Sequence, residues 1–372
     1  MKKSIFCLLA LFIGFSVQAQ KPVQLGSYQF TIETQVPHTP IKNQQKTGTC
    51  WSFSSCSFLE SELIRTGVGD TDLSEMYVVR QTYPKKAETY LKNKGNVPFS
   101  AGGLGHDVLN CIRENGLMPE DAFLTTMKKE GVLDESDAHQ ALESSLKEWS
   151  AAPAPPKDWQ EQFKLKAERN VGATPNQFTV AGNQYTPQSY AKTLKLNADD
   201  YVGFTSFLHH PNYEAFAIEV PDNFSQGKYW NLPMVEFTEL AKIAIRQGYS
   251  LFWDGDVSNI GFSGEKGLAI VPAEENTKEL FSRIYSEKEI SEDQRQTAFE
   301  SKDLTDDHLM HIVGLAQDTQ GKTYFVVKNS WGETGAAKGY LYMSENYFNM
   351  FTVSYITHKA IVPADIKEKL GW

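Results

Sequence analysis

Beyond its first twenty residues the sequence has no apolar run near the roughly twenty residues that a bilayer span needs. With 41% hydrophobic and 22% charged residues it is too polar for a multi-span membrane protein. It also lacks an excess of positive charge. Its 36 Lys and Arg stand against 46 Asp and Glu, a net charge of −10, which argues against nucleic acid or anionic lipid as a partner. The pairs Lys85-Lys86 and Lys128-Lys129 sit among acids and read as solvated surface. There is no internal repeat, no phosphate-binding glycine loop, and no low-complexity tract beyond a short Pro/Ala stretch. No Cys/His spacing suits zinc, and His209-His210-Pro211 reads as a loop rather than a ligand pair, so neither metal nor cofactor is expected.

Cysteine is scarce, with four in 372 residues. Cys7 lies in "MKKSIFCLLALFIGFSVQAQ", where two lysines, an apolar run of about a dozen residues and Val17-Gln18-Ala19 form the pattern of a secretory signal peptide. Residues 1–19 are therefore set aside, and the mature protein is expected in a periplasm or outside the cell. Cys50, Cys56 and Cys111 remain, an odd number in a compartment where disulfides persist, so at least one thiol stays free. Cys56 and Cys111 could pair, but both fall in apolar helical patterns where buried thiols are equally expected.

What is present divides into two styles, with residues 20–200 mostly helical and residues 201–372 rich in strands. Phe53, Phe58, Leu59 and Leu63 recur at helical spacing, so a helix starts at or beside Cys50. "GHDVLNCIRENGLMP" and "MVEFTELAKIAIRQG" read as helices stopped by Gly116 and Gly248. Helical composition from Asp134 to Asn170 is broken by "AAPAPPKD". The segments "YSLFWDGD", "HIVGLAQD", "TYFVVKNSWG", "GYLYMS" and "TVSYITHKAIV" read as strands, and "QDTQGKT" as a hairpin connection. A helical front and a β-rich back give an α+β chain of two lobes with a cleft between them.

A thiol is a useful nucleophile as thiolate, and its pKa falls at a helix N-terminus beside an imidazolium. Cys50 has that helix position. Among eight histidines, His308 in "DDHLMHIVGLAQD" opens a strand, whereas His311 would point to the other strand face. Asn329 ends a strand in "VVKNSWG", where its amide oxygen could accept the Nδ1 proton of His308. Taken singly, each histidine is more commonly a satisfied core or surface residue.

Together these residues resemble the papain superfamily of cysteine peptidases. Gln44 matches its oxyanion-hole glutamine, "CWSFS" its nucleophile and central helix, His308 with Gly314 its histidine, and "NSWG" its asparagine with the shielding Trp331. "LSE" at Leu73 to Glu75 matches a helix start, and Gly102-Gly103 the backbone wall of the S2 pocket. The form Gly48-Thr49-Cys50-Trp51 and a long helical insertion before His308 are similar to the bleomycin hydrolase and aminopeptidase C branch. The resemblance implies a papain-like two-lobed fold, peptide substrates and hydrolysis by Cys50, His308 and Asn329 with Gln44. Gly102, Gly103, Trp331 and Trp372 are the implied substrate-binding residues. The branch also forms a hexameric ring, which keeps a homo-oligomer open.

In that branch the terminal carboxylate of a C-terminal arm meets the substrate's ammonium and makes the enzyme an exopeptidase. Here "ITHKAIVPADIKEKLGW" reaches Trp372 before a comparable arm is formed. Aminopeptidase action then requires a cleft-blocking loop from the insertion, or Trp372 itself; an open cleft would give an endopeptidase. A non-catalytic binding protein of the same fold, or an acyl transferase using the same Cys-His pair, are the further readings.

Overall fold

The computed structural model describes residues 22–274 and 280–372; residues 1–21, which include the segment expected to be a signal peptide, and residues 275–279 lie outside the described residues. Ten α-helices occur in them: α1 Cys50–Arg65, α2 Glu75–Lys92, α3 Gly105–Glu114, α4 Ser136–Ala151, α5 Trp159–Asn170, α6 Pro187–Leu194, α7 Met234–Arg246, α8 Glu292–Ser301, α9 Glu345–Phe351 and α10 Ala364–Leu370. None is long and apolar enough to cross a membrane. The architecture is α+β, as the two styles of sequence imply.

The first five helices pack round one apolar cluster that includes Trp51, Phe58, Leu59, Met76, Val108 and Phe163. Helix α1 is buried from Cys50 to Leu63 although it is rich in serine. The Ser54 and Ser55 hydroxyls donate back to the carbonyls of Cys50 and Trp51, each at 2.6 Å. Desolvated hydroxyls satisfied inside the helix cost little, so the helix can be enclosed on every side. Pro-rich residues 152–158 separate α4 from α5, and Gly116 and Gly248 follow α3 and α7 with positive φ, as expected.

Behind α1 stands a sheet of twelve strands. Its longest strand, His308–Asp318, pairs antiparallel with Thr323–Lys328 on one side and Leu251–Gly255 on the other. Leu251–Gly255 continues to Thr352–His358, then Tyr201–Thr205, then Lys228–Asn231 and Ala215–Ala217. Leu251, Trp253, Met310, Ile312 and Tyr355 pack with the α7 residues Phe237, Leu240 and Ala241 in a second core. The N-terminal strand Tyr28–Gln35 also joins this sheet, pairing with the far end of the His308 strand. The described residues therefore begin within the β lobe before building the helical one.

Beneath α1 a buried polar chain fastens it to the sheet. Lys328 Nζ donates to Ser57 Oγ at 2.7 Å and to Thr39 Oγ1 at 3.2 Å, and Thr39 donates to Glu60 at 2.5 Å. Glu60 in turn faces Lys42 at 3.2 Å. Charges this enclosed are tolerable only when paired, so the chain fixes the register of helix on sheet.

Candidate active site

Cys50 is the first residue of α1, and the Ser52 and Phe53 N–H groups close the first turn on the Thr49 carbonyl. The thiol is buried and its pKa is pushed up to about 12. Burial is the main cause; Asp222 and Asp254 raise it further, while the Leu309 and Trp51 N–H groups pull it down. Leu309 directly follows His308, so the strand carrying the imidazole runs past the thiol.

His308 opens its strand opposite Gly255 and is 4% exposed. Its Nε2 lies 2.8 Å from Asn329 Oδ1, and its ring stacks on Trp331 with centroids 4.6 Å apart and planes 28° apart. The expectation from sequence was that Nδ1 would meet the amide; the nitrogen there is Nε2. Asn329 Oδ1 also accepts the Ser330 N–H at 2.7 Å. A backbone N–H can only donate, so the amide atom is the oxygen and Nε2 carries the proton. Nδ1 is left as the basic nitrogen. Burial lowers the His308 pKa to about 4, partly opposed by the Asn329 bond. Burial thus disfavours the charged form of each group taken by itself.

Gln44 joins this group through Ser330. Its N–H donates to the Ser330 carbonyl at 2.8 Å, and its Oε1 accepts the Ser330 hydroxyl at 2.6 Å. Its Nε2 donates one hydrogen to the Thr47 carbonyl at 2.8 Å, which leaves the second hydrogen of that nitrogen for another acceptor. Asn43 bridges to Trp331, holding the loop before α1 against the strand end that carries Asn329. Cys50, His308, Asn329, Gln44 and Trp331 are thus linked through a loop, a helix start and two strands.

Gly102 and Gly103 line the same helix. Trp51 Nε1 donates to the Ala101 carbonyl at 2.9 Å, and a Cβ on Gly103 would come within 3.1 Å of the Trp51 ring. Lys86 Nζ donates to the carbonyls of Ser100, Ala101 and Gly102. A Cβ on Gly102 would fall inside the Asp222 carboxylate, so only glycine lets that side chain lie on the wall. Asp222 was not anticipated. Its loop, residues 218–227, joins the strands Ala215–Ala217 and Lys228–Asn231 and starts beside His209 and His210, which both bond Glu219, at 3.2 and 2.7 Å.

Trp372 is not brought to these residues: its ring packs edge-on to Trp230 at 5.5 Å and its N–H donates to Lys367 at the end of α10. His311 is buried against α1 farther along that helix, with Nδ1 2.8 Å from Ser57 Oγ and its ring edge-on to Phe58. Cys50, Cys56 and Cys111 are all free, so the pairing of Cys56 with Cys111 is not realised. Burial raises both of the latter thiols, which suits inert core residues.

Such a thiol at the start of a central helix, packed against the strand that carries His308, is the arrangement of a papain-like cysteine peptidase. Residues 155–371 match the model of the Peptidase C1-like family, and the chain belongs to that family; residues 29–192 match the papain family cysteine protease model. Within it, the chain falls in the aminopeptidase C branch. It is 22% identical to aminopeptidase C of Lactobacillus delbrueckii subsp. lactis, covering 91% of this chain and 83% of that one. Aminopeptidase C of Listeria monocytogenes is 21% identical, with 95% and 88% covered, and aminopeptidase W of L. delbrueckii is 22% identical, with 96% and 89% covered. The crystal structure of PepW from Lactobacillus rhamnosis matches with a TM-score of 0.72 at 19% identity, over 92% of this chain and 84% of that one. The α+β two-lobed papain-like fold is thereby established.

Proposed function

We propose that the protein is a cysteine aminopeptidase that hydrolyses peptides through Cys50, His308 and Asn329, with Gln44 as oxyanion donor. The observation that carries this reading is the fixed amide of Asn329, which commits Nε2 of His308 to donation and leaves Nδ1 as proton acceptor. The aminopeptidase names of its relatives support the substrate class.

Proton transfer from Cys50 Sγ to His308 Nδ1 turns two neutral groups into a thiolate and an imidazolium that stabilise one another. The thiolate adds to the peptide carbonyl carbon. The resulting oxyanion accepts the Cys50 N–H and the uncommitted Gln44 Nε2 hydrogen. His308 returns the proton to the departing amine as the C–N bond breaks, leaving a thioester. Water, deprotonated by Nδ1, adds to the thioester; the acid leaves and the thiol is restored. Trp331, stacked on the imidazole and half open to solvent, keeps water from the Asn329 bond. An open-cleft endopeptidase would use the same machinery, but the Asp222 carboxylate on the Gly102 wall opposes that reading. Export to a periplasm or the exterior is proposed from the composition of residues 1–19.

The test is hydrolysis of one fluorogenic peptide amide with its α-amine free and again acylated, under reducing conditions and with Cys50→Ala as blank. Cys50-dependent cleavage of the free-amine form alone supports the proposal. Equal cleavage of the acylated form replaces it with an endopeptidase, and no Cys50-dependent cleavage of either removes the peptidase mechanism.

A further inference from the structure

We propose that Asp222, backed by Asp254, binds the free α-ammonium of the substrate, and that its loop ends the cleft so that one residue is released per turnover. The inference rests on the peptidase reading above and supplies its substrate anchor. An α-nitrogen is two bonds from the carbonyl carbon that Cys50 would attack, so an ammonium anchor must stand close to the thiol. Asp222 and Asp254 are both close enough to that thiol to raise its pKa. The Asp222 carboxylate lies directly on Gly102, so the space along this wall is already filled. A second residue on the amino side of the scissile bond would collide with it, whereas a terminal ammonium would meet it.

The carboxylate is held for this task. Ser100 Oγ donates to Asp222 Oδ1 at 2.8 Å, leaving Oδ2 for another donor, and the Asp222 N–H donates to Asp306 at 3.3 Å. Asn223 knits the loop to itself through bonds to the Ile218 and Gly227 carbonyls, each at 3.0 Å, and it accepts the Gly227 N–H at 2.8 Å. Ser225 moors the loop to the start of α3 through Asp107 at 2.5 Å and His106 at 2.7 Å. A loop so braced loses little further entropy when a ligand arrives.

Independent of the loop, Asp254 supplies a buried oxygen without a partner. It is fully buried in the strand beside His308; its Oδ2 accepts the Ser354 hydroxyl at 3.1 Å, and its Oδ1 has no partner. An unpaired buried carboxylate is costly unless neutralised by a proton or a cation. Asp222, Asp306 and Asp307 crowd it with like charge, and burial with this repulsion holds its proton on well above the usual carboxylate range. Asp306 is pushed up to about 7, by burial first and then by Asp222. The cation acting on Asp222 is Lys86, whose ammonium is already committed to three backbone carbonyls and lies near the Trp51 and Phe224 rings. An incoming ammonium would complete what Lys86 leaves short.

Binding separates this inference from the catalytic one. The Cys50→Ala protein, which cannot acylate, is titrated calorimetrically with leucinamide and with N-acetyl-leucinamide, and the titrations are repeated in Cys50→Ala/Asp222→Asn and Cys50→Ala/Asp254→Asn. The expected result is binding of the free amine, weakened about tenfold to a hundredfold by acetylation or by Asp222→Asn, as loss of a charge-assisted bond implies. A smaller loss is expected in Asp254→Asn. Equal binding of both ligands, or binding unmoved by Asp222→Asn with an unchanged melting curve, overturns the inference. In the Cys50-intact protein, Asp222→Ala should additionally cleave an internally quenched peptide blocked at its amino end; continued exclusion of that peptide by a folded Asp222→Ala protein also counts against it. Loss of catalysis with amine binding intact would sink the peptidase mechanism and leave the ammonium site standing.

Discussion

Gln44→Ala tests the oxyanion assignment most directly. The side chain makes two bonds besides its proposed one to the reacting oxygen, donating to the Thr47 carbonyl at 2.8 Å and accepting from Ser330 Oγ at 2.6 Å. Truncation leaves that buried hydroxyl and carbonyl unsatisfied, a cost to stability of about 1–3 kcal/mol per group unless water enters the space. The loop itself should hold, because the Gln44 N–H to Ser330 carbonyl bond and the Thr47 Oγ1 to Gln44 carbonyl bond, both 2.8 Å, use the backbone. Catalytically the loss is that of one oxyanion donor, about 10²–10³ in kcat or about 2.7–4 kcal/mol of transition-state stabilisation. Since the donor acts on charge that develops after binding, KM should move much less. Steady-state kinetics on a fluorogenic aminoacyl amide would be read beside alkylation of Cys50 to count competent thiols and a melting curve to check folding. A folded variant with a full complement of thiols and kcat within about threefold of wild type would refute the assignment, because a donor in the oxyanion hole cannot be that dispensable.

Three further outcomes are expected. Asn329→Ala removes the bond that favours the charged imidazole, so the His308 pKa should fall further and the acid limb of kcat/KM should move to lower pH while the plateau drops; a limb that moves upward would contradict the hydrogen bond from the imidazole to Asn329 as the stabilising contact. The native His308 value of about 4 lies below the ordinary 6.5, so on acidification the unfolded chain takes up its proton first. The stability held above pH about 6.5 is then lost as pH falls towards 4, and urea unfolding should show wild type losing about 3 kcal/mol relative to His308→Gln over that window; no relative loss would mean that the imidazole is already charged in the resting cleft. Gly102→Ala drives a methyl into the Asp222 carboxylate, which can swing aside at its flexible end. Melting should therefore change little while the preference for free-amine over acylated substrate falls, and an unchanged preference would place the anchor elsewhere.

The catalytic elements were legible where one physical signal sufficed. Helix α1 showed itself by its apolar spacing and the His308 strand by its aliphatic run, and both boundaries fall where the pattern put them. The N-terminal strand Tyr28–Gln35 was overlooked although Tyr28, Phe30 and Ile32 alternate with polar residues, a period-two signal visible in its alternating burial. Which ring nitrogen meets Asn329 had no signal at all, since it depends on the approach of two strand ends. Asp222 was out of reach for a different reason. It meets Ser100 across 122 positions of chain, and nothing in "VPDNF" distinguishes an anchoring carboxylate from any loop acid. Conversely, the family resemblance implied Trp372 as a substrate-binding residue, yet Trp372 found an apolar partner in Trp230.

Ser330 occupies an unusual position between two tasks. Its N–H pins the amide that orients the imidazole, its hydroxyl pins the Gln44 side-chain amide proposed to receive the oxyanion, and its carbonyl holds the Gln44 backbone N–H. Proton shuttling and charge stabilisation consequently hang from one joint. A substitution at this position would disturb both at once, whereas the loop around Asp222 shares none of these bonds and can change without touching the strut.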